Sequence, residues 1–283
     1  MPKLTLLIHC PDTSGIIAAV TSFFHQRKGN IIYIDQYVDL ENQTFFMRLE
    51  CEFNHQISFD DVKAHFKKDL GNPYKMSWHM FGAESKLKMA ILVSKYDHCL
   101  YDILGRYRSG ELNVIIPLIL SNHKDLEPVA KSFNIPFYHI PVLKDKKEEA
   151  ETQQLELLKK ENIDFIVLAR YMQIISGNLI KRFPNQIINI HHSFLPAFAG
   201  AKPYHFAYKR GVKIIGATSH YVTDELDAGP IIEQDITRIS HSHSVKDLIL
   251  KGRDLEKIVL ARGIKLHLER KTLVYNNRTV VFT

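Results

Sequence analysis

The sequence predicts an α/β protein of two domains: a small ferredoxin-like βαββαβ domain, then a larger Rossmann-like domain built on a mostly parallel sheet. Three observations carry that prediction. Residues 3–81 alternate strand and helix patterns in the order β-α-β-β-α-β. From residue 88 onward, short apolar runs alternate with helical stretches, which favours a mainly parallel sheet covered on both faces. A charged, polar connector at 82–87 separates the two patterns, giving domains of residues 1–84 and 85–283.

In the first domain, residues 3–10 read as a strand and 11–15 as a turn whose side chains are expected to cap the next helix. That helix, 15–28, carries Ile16, Ile17, Val20, Phe23 and Phe24 at helical spacing and stops at Gly29-Asn30. Strands at 31–40 and 44–53 form a hairpin around Glu41-Asn42-Gln43. A helix at 59–70, with Val62, Phe66 and Leu70 on one face, and a strand at 74–81 complete the unit. In the second domain the strands fall at 88–94, 113–121, 137–142, 165–169, 187–190, 214–222 and 231–238. A long helix at 245–268 follows, weakened locally by Gly252, and a short hairpin turns at Asn276-Asn277.

Composition narrows the function classes. The 283 residues are 45% hydrophobic, enough for a sizeable core, and the longest clear apolar run, 114–120, is far short of the ~20 residues that span a bilayer. Three scattered cysteines, Cys10, Cys51 and Cys99, form no Cys-x-x-Cys pair, which favours a reducing cytoplasm over a disulfide framework or zinc ribbon. The net charge of +6 comes with no basic block: Lys144, Lys146 and Lys147 run into Glu148, Glu149 and Glu151, a solvated helix start and not a nucleic-acid patch.

Chemistry concentrates between residues 186 and 234. Side chains alternate along a strand, so Asn189 and His191 point the same way at the end of the 187–190 strand. A later strand carries Thr218-Ser219-His220-Tyr221-Val222, and an acidic turn follows with Asp227. If the strands are neighbours, Asn189, His191 and Asp227 share a pocket, where an amide and an imidazole donate to a developing oxyanion and a carboxylate activates a nucleophile. Three polar residues at strand ends are otherwise simply solvated.

The pattern Asn189-x-His191-x-Ser193-x-Leu195-Pro196, Gly216-x-Thr218-x-His220-Tyr221-Val222 and Leu226-Asp227-x-Gly229-Pro230-Ile231-Ile232 resembles the folate-dependent formyltransferases, and in detail the formyltetrahydrofolate deformylases. The resemblance covers nearly the whole chain. It implies hydrolysis of 10-formyltetrahydrofolate to tetrahydrofolate and formate, which feeds purine biosynthesis and balances one-carbon pools. The catalytic residues it implies are Asn189, His191 and Asp227, with His220 in support. It further implies folate contacts at Arg170, Tyr171, Met172, Gln173 and Ile174, although an apolar strand end there also suits core packing. The formylated folate is the substrate, and no separate cofactor is expected.

The first domain resembles an ACT domain through Asp12, Gly15 and Ile16 in its first turn and Gly29-Asn30-Ile31 at its second strand. Such modules imply a homo-oligomer, dimer or tetramer, and a glycine or methionine effector bound near Asp12, Gly15, Ile16 and Asn30. Two rival readings stay open: formyl transfer to an amine such as glycinamide ribonucleotide, and a folate- or amino-acid-sensing binding protein. Against the first, the loop at 94–99 (Ser-Lys-Tyr-Asp-His-Cys) lacks the glycines that let backbone amides approach a phosphate. Lys95, Tyr96 and His98 are expected to fill part of the acceptor's space instead. Against the second, folate binding alone requires no oxyanion site.

His191, His192, His205 and His220 with Asp227 show no recognised metal-ligand spacing, so no metal is expected; His192 should face away from His191 and serve packing. Residues 202–205 read either as a lid or substrate contact or as a helix start with an early proline.

Overall fold

The structure, a computed structural model, describes residues 2–82, 86–143, 145–196 and 203–283. The middle of the connector, the 84/85 boundary, Lys144 and Lys202 therefore lie outside the described residues. The chain forms two compact units, one of Met1–Lys86, Arg270–Leu273 and Val280–Thr283, the other of Leu87–Glu269 and Val274–Thr279.

In the first unit, β1 (Lys3–Pro11), α1 (Ile16–Gln26), β2 (Gly29–Asp39), β3 (Thr44–Phe53), α2 (Phe59–Phe66) and β4 (Ser77–Gly82) follow the βαββαβ order. Their antiparallel sheet runs β2-β3-β1-β4. One face of it packs Leu4, Leu6, Ile8, Met47, Leu49 and Met80 against Val20, Phe24 and Phe66 of the helices. The α2 helix widens into a π turn over Lys67–Gly71, so the last strand starts later than its composition implies. At the start of α1 the expected side-chain cap is not made: Gly15 itself is the cap, at φ 91°, and its carbonyl accepts from Ala19 N. A left-handed backbone turns the chain there, which glycine allows without strain. Residues 270–283, expected in the second domain, are shared, with Phe282 buried and Arg48 donating to the Arg270 carbonyl at 3.0 Å.

The second unit contains β5 (Lys88–Val93), α3 (His98–Arg108), β6 (Ile115–Ser121), α4 (Glu127–Ser132), β7 (Phe137–His139), α5 (Lys147–Lys160), β8 (Phe165–Leu168), α6 (Gly177–Arg182), β9 (Ile187–His191), α7 (Pro203–Arg210), β10 (Ile214–Tyr221), β11 (Ile231–Arg238) and α8 (Val245–Leu268). Its sheet runs β11-β10-β9-β8-β5-β6-β7, parallel from β9 to β7, with β10 and β11 antiparallel. Strand order reverses beside β5, and ligands of such sheets bind beyond the carboxyl ends of the strands near that point. Ser94, Arg170 and His191 all occupy such ends. A Ser244–Asp247 capping box starts α8, whose Leu248, Leu255, Val259 and Leu260 enter the core. The C-terminal strands β12 (Thr272–Tyr275) and β13 (Arg278–Val281) turn through Asn276 and Asn277, both at positive φ, as a tight hairpin turn requires.

Candidate active site

The pairing of β9 with β10 assembles the site. His220 lies opposite Asn189 and Thr218 opposite His191, so these side chains share a face. The Asn189 amide nitrogen is 3.1 Å from His220 Nε2, while His220 Nδ1 lies 3.0 Å from the Tyr221 carbonyl. A carbonyl only accepts, so His220 carries its proton on Nδ1 and receives the Asn189 N–H at Nε2. Burial holds the His220 imidazole below its ordinary pKa, in keeping with that neutral tautomer.

Asp227 completes the group from the acidic turn after β10. One carboxylate oxygen is 3.3 Å from His191 Nδ1 and the other 3.8 Å from His220 Nε2. Its hydrogen bond with His191 keeps the Asp227 carboxyl below the usual range and outweighs the opposing effect of burial. The backbone at Asp227 is left-handed, φ 56°, a conformation that Asp tolerates better than most residues. The neighbouring Ala228 carbonyl accepts from Asn277 at 2.9 Å, bracing the turn. On the far side of the ring, His191 Nε2 is buried and makes no hydrogen bond among the described residues.

These groups line a cavity of about 390 Å³ together with His192, the segment from Arg170 to Ile175 and the turn from Val222 to Leu226. That volume suits a small-molecule ligand. Met172 and Ile174 are exposed, Tyr171 is buried with its hydroxyl accepting from Gln154, and the Met172 amide donates to Ser94 Oγ at 3.0 Å. Ser94 in turn donates to Asn122 at 2.6 Å, tying together the ends of β5, β6 and β8.

His192 departs from expectation. Alternation stops where β9 ends at His191, and the bend that follows leaves the two imidazoles with ring centres 5.0 Å apart. His192 accepts from Arg170 at 2.8 Å, and burial, with the Arg170 charge next, pushes it down to about 4. Of residues 203–205, Pro203 begins α7 and Tyr204 turns inward to bond Glu256, while His205 is exposed. Gly252 is an access point for Tyr204, since a Cβ there would lie 1.9 Å from the tyrosine oxygen. His98, Cys99 and Glu256 come within 4.8 Å of one another. They do not suit a cation: Glu256 is engaged by His98, Tyr204 and Arg170, and burial pushes the Cys99 thiol well up.

The four proposed effector residues do not converge within one chain. Asp12 follows Pro11, opposite Thr44, whereas Asn30 pairs with Glu52, opposite Lys3. The two ends are eight residues apart along β1, roughly 26 Å at the usual rise per residue. Ile16 is buried in the core.

Comparison with known proteins fits this geometry. The Formyl transferase family matches residues 87–264 and the ACT domain family residues 4–54. A formyltetrahydrofolate deformylase of Synechocystis sp. is 51% identical over 279 residues, 98% of each chain. The chain belongs to the formyltetrahydrofolate deformylase family. A crystal structure of a family member from Pseudomonas syringae pv. tomato superposes with a TM-score of 0.97 at 44% identity, covering 100% of this chain and 95% of that one. A glycinamide ribonucleotide transformylase from Symbiobacterium toebii matches at TM-score 0.67 and 27% identity, covering 72% of this chain and 97% of its own. The deformylases thus share both units, whereas the transformylase match leaves more than a quarter of the chain uncovered. The bonding roles of Ser94, Asn122, Thr218 and Glu256 were not legible in the sequence, since their partners lie on elements remote in sequence. Thr218 stands in the motif around His220, and Glu256 is marked as a carboxylate among the apolar positions of α8.

Proposed function

We propose that the protein hydrolyses 10-formyltetrahydrofolate to tetrahydrofolate and formate, with Asn189, His191 and Asp227 performing the chemistry. The observation that carries the reading is the state of His191: Nδ1 held by Asp227, Nε2 buried and unpartnered among the described residues, with Asn189 and His191 lining the same cavity. In its protonated form His191 donates from both nitrogens, one to Asp227 and one to the formyl oxygen. Asn189 gives one amide hydrogen to His220 and the other to the same oxygen. Each such donor lowers the barrier by about 3 kcal/mol in a dry site. Asp227 takes a proton from water as the water oxygen bonds to the formyl carbon. The carbon–nitrogen bond then breaks, N10 of the folate accepts that proton, and formic acid leaves, giving up its remaining proton to solvent as formate. His220 acts through Asn189, its nearer partner. Arg170 to Ile174 line the folate side of the cavity, and the reaction needs no metal or further cofactor.

Water as acceptor is supported by the loop after β5. His98 turns into the protein to bond Glu256 at 2.7 Å, and the Tyr96 ring lies beside Arg170 and Arg253. These side chains take up room beside the site in place of a phosphate-gripping backbone. The decisive experiment supplies purified protein with 10-formyltetrahydrofolate alone and measures formate. Release without an amine is expected; formylation of added glycinamide ribonucleotide faster than formate appears would establish the transferase instead.

For residues 1–84 the proposal is pairing between copies and binding of glycine or methionine. Because Asp12 and Asn30 lie at opposite ends of one sheet, a site using both takes one from each of two chains. Calorimetry with each amino acid tests it, and no heat from either leaves assembly as the unit's role. Three free, buried cysteines support a reducing compartment such as the cytoplasm, and no described helix is long and apolar enough to cross a membrane.

A further inference from the structure

The hydrolytic scheme uses neither Glu256 nor His192, yet a polar cluster around the buried Glu256 reaches His192, whose half-buried ring lies against His191 at the cavity wall. Glu256 is 1% exposed. His98 Nε2 donates to one of its oxygens at 2.7 Å and the Tyr204 hydroxyl to the other at 3.0 Å. The Arg170 guanidinium makes an ion pair with it at 3.4 Å, without the alignment of a hydrogen bond. Those partners hold the Glu256 carboxyl below its ordinary pKa despite the opposing pull of burial.

Such a cluster is a poor way to gain stability. Removing a carboxylate and a guanidinium from water costs free energy that their attraction barely returns, and apolar residues of the same volume serve a core at least as well. What such a network supplies, even with Arg170 Nε and His98 Nδ1 making no hydrogen bond among the described residues, is a restricted arrangement of the members that are bonded. Here the member nearest the chemistry is His192. Arginine only donates, so the 2.8 Å contact from Arg170 leaves the lone pair on His192 Nδ1 and the proton on Nε2. Tyr204 flanks the same ring, 5.8 Å between centres, and His191 lies on it at 5.0 Å with an interplanar angle of 30°. At Arg170 the backbone is left-handed, φ 63°, so the residue that leaves β8 at the cavity wall sends its guanidinium back into the cluster.

We propose that Glu256 and Arg170 are positioning residues for the hydrolysis: they hold His192 in one tautomer and one orientation, and the His192 ring holds His191 at the angle that presents Nε2 to the formyl oxygen. The inference deepens the hydrolytic reading and rests on it. Within the cluster the roles are distinct. Glu256 fixes Arg170 and Tyr204, Arg170 fixes the His192 proton, and His192 transmits orientation by ring contact.

The test is Glu256→Gln, which keeps shape and removes charge. Long-range 15N spectra of the histidine rings report the tautomer, and steady-state kinetics separate turnover from binding. The expected result is a His192 ring that no longer holds its proton on Nε2 alone, kcat lowered at least tenfold and KM within about threefold. If Glu256→Gln does not fold, Arg170→Ala assayed with and without added guanidinium replaces it. Recovery of both the His192 signal and kcat by guanidinium supports the proposal; recovery of neither overturns it. An unchanged His192 spectrum in Glu256→Gln overturns it, and so does full turnover with an altered spectrum. Wild-type protein that releases no formate removes the hydrolytic reading itself, an outcome distinct from an active wild type beside an equally active Glu256→Gln.

Discussion

Replacing Gly252 by alanine sets helix propensity against tertiary fit. In an exposed helix interior the change stabilises by about 1 kcal/mol. Here the new Cβ would fall 1.9 Å from the Tyr204 oxygen and 2.3 Å from the ring carbon that bears it. An ordinary Cβ contact begins at 3.4 Å, so the tyrosine oxygen must retreat by about 1.5 Å. Its 3.0 Å bond to Glu256 does not survive that shift. Losing a hydrogen bond to a charged group costs about 1.5–3 kcal/mol, and crowding a packed core adds about 1–3 kcal/mol. Against the ~1 kcal/mol of propensity, Gly252→Ala is expected to destabilise the protein by about 1.5–5 kcal/mol. Urea unfolding followed by circular dichroism measures this directly. A variant as stable as wild type, or more so, would refute the reasoning, because it would mean that Tyr204 is free to move and that its bond to Glu256 contributes nothing.

Three further outcomes are expected. Asp227→Asn keeps the size of the side chain and its tolerance of positive φ, so folate affinity should change little while kcat falls on the order of 100-fold to 10,000-fold; near-normal turnover by the folded variant would remove the general base. The His192 imidazole sits at about 4 in the folded protein against an ordinary 6.5, so the unfolded chain takes up its proton first as the pH drops, and this contribution to stability is lost between pH 6.5 and about 4. His192→Asn should flatten unfolding free energy against pH in that window, with an unaltered slope contradicting the assignment. Thr218 donates to the Ser193 carbonyl and accepts from Leu195 N, both buried, and accepts from Gln234 in a half-buried bond. Thr218→Val should cost about 2–4 kcal/mol in chemical denaturation, since several partners lose satisfaction at once.

Period-two alternation is why the centre of the site was legible in the sequence. It put Asn189 and His191 on one face, and the apolar run around His220 marked the strand that pairs beside them. The same rule misplaced His192, because it holds only while the strand continues and β9 ends one residue earlier. Glu256 and Tyr204 were not legible as partners: a carboxylate among the apolar positions of α8 marks Glu256 by itself, and their meeting depends on how α7 crosses α8 at a glycine. Ser94 and Asn122 meet only because β5 and β6 are neighbours in the sheet. In the first unit the element order followed from composition, whereas the separation of Asp12 from Asn30 is a matter of strand register, which no local pattern encodes.

The first unit is discontinuous in the chain, and this bears on the timetable of synthesis. Its sheet is complete once residue 82 has been made, but the segments that finish the unit, Arg270–Leu273 and Val280–Thr283, are made only after the whole stretch Leu87–Glu269. At 5–20 residues per second the interval is about 10–40 s. For that time the nascent protein carries a βαββαβ sheet whose Arg48 lacks the Arg270 carbonyl and whose Phe81 lacks the covering Arg270 guanidinium. A ribosome stalled before residue 270 would therefore hold a first unit more open to proteases than the same residues in the released chain.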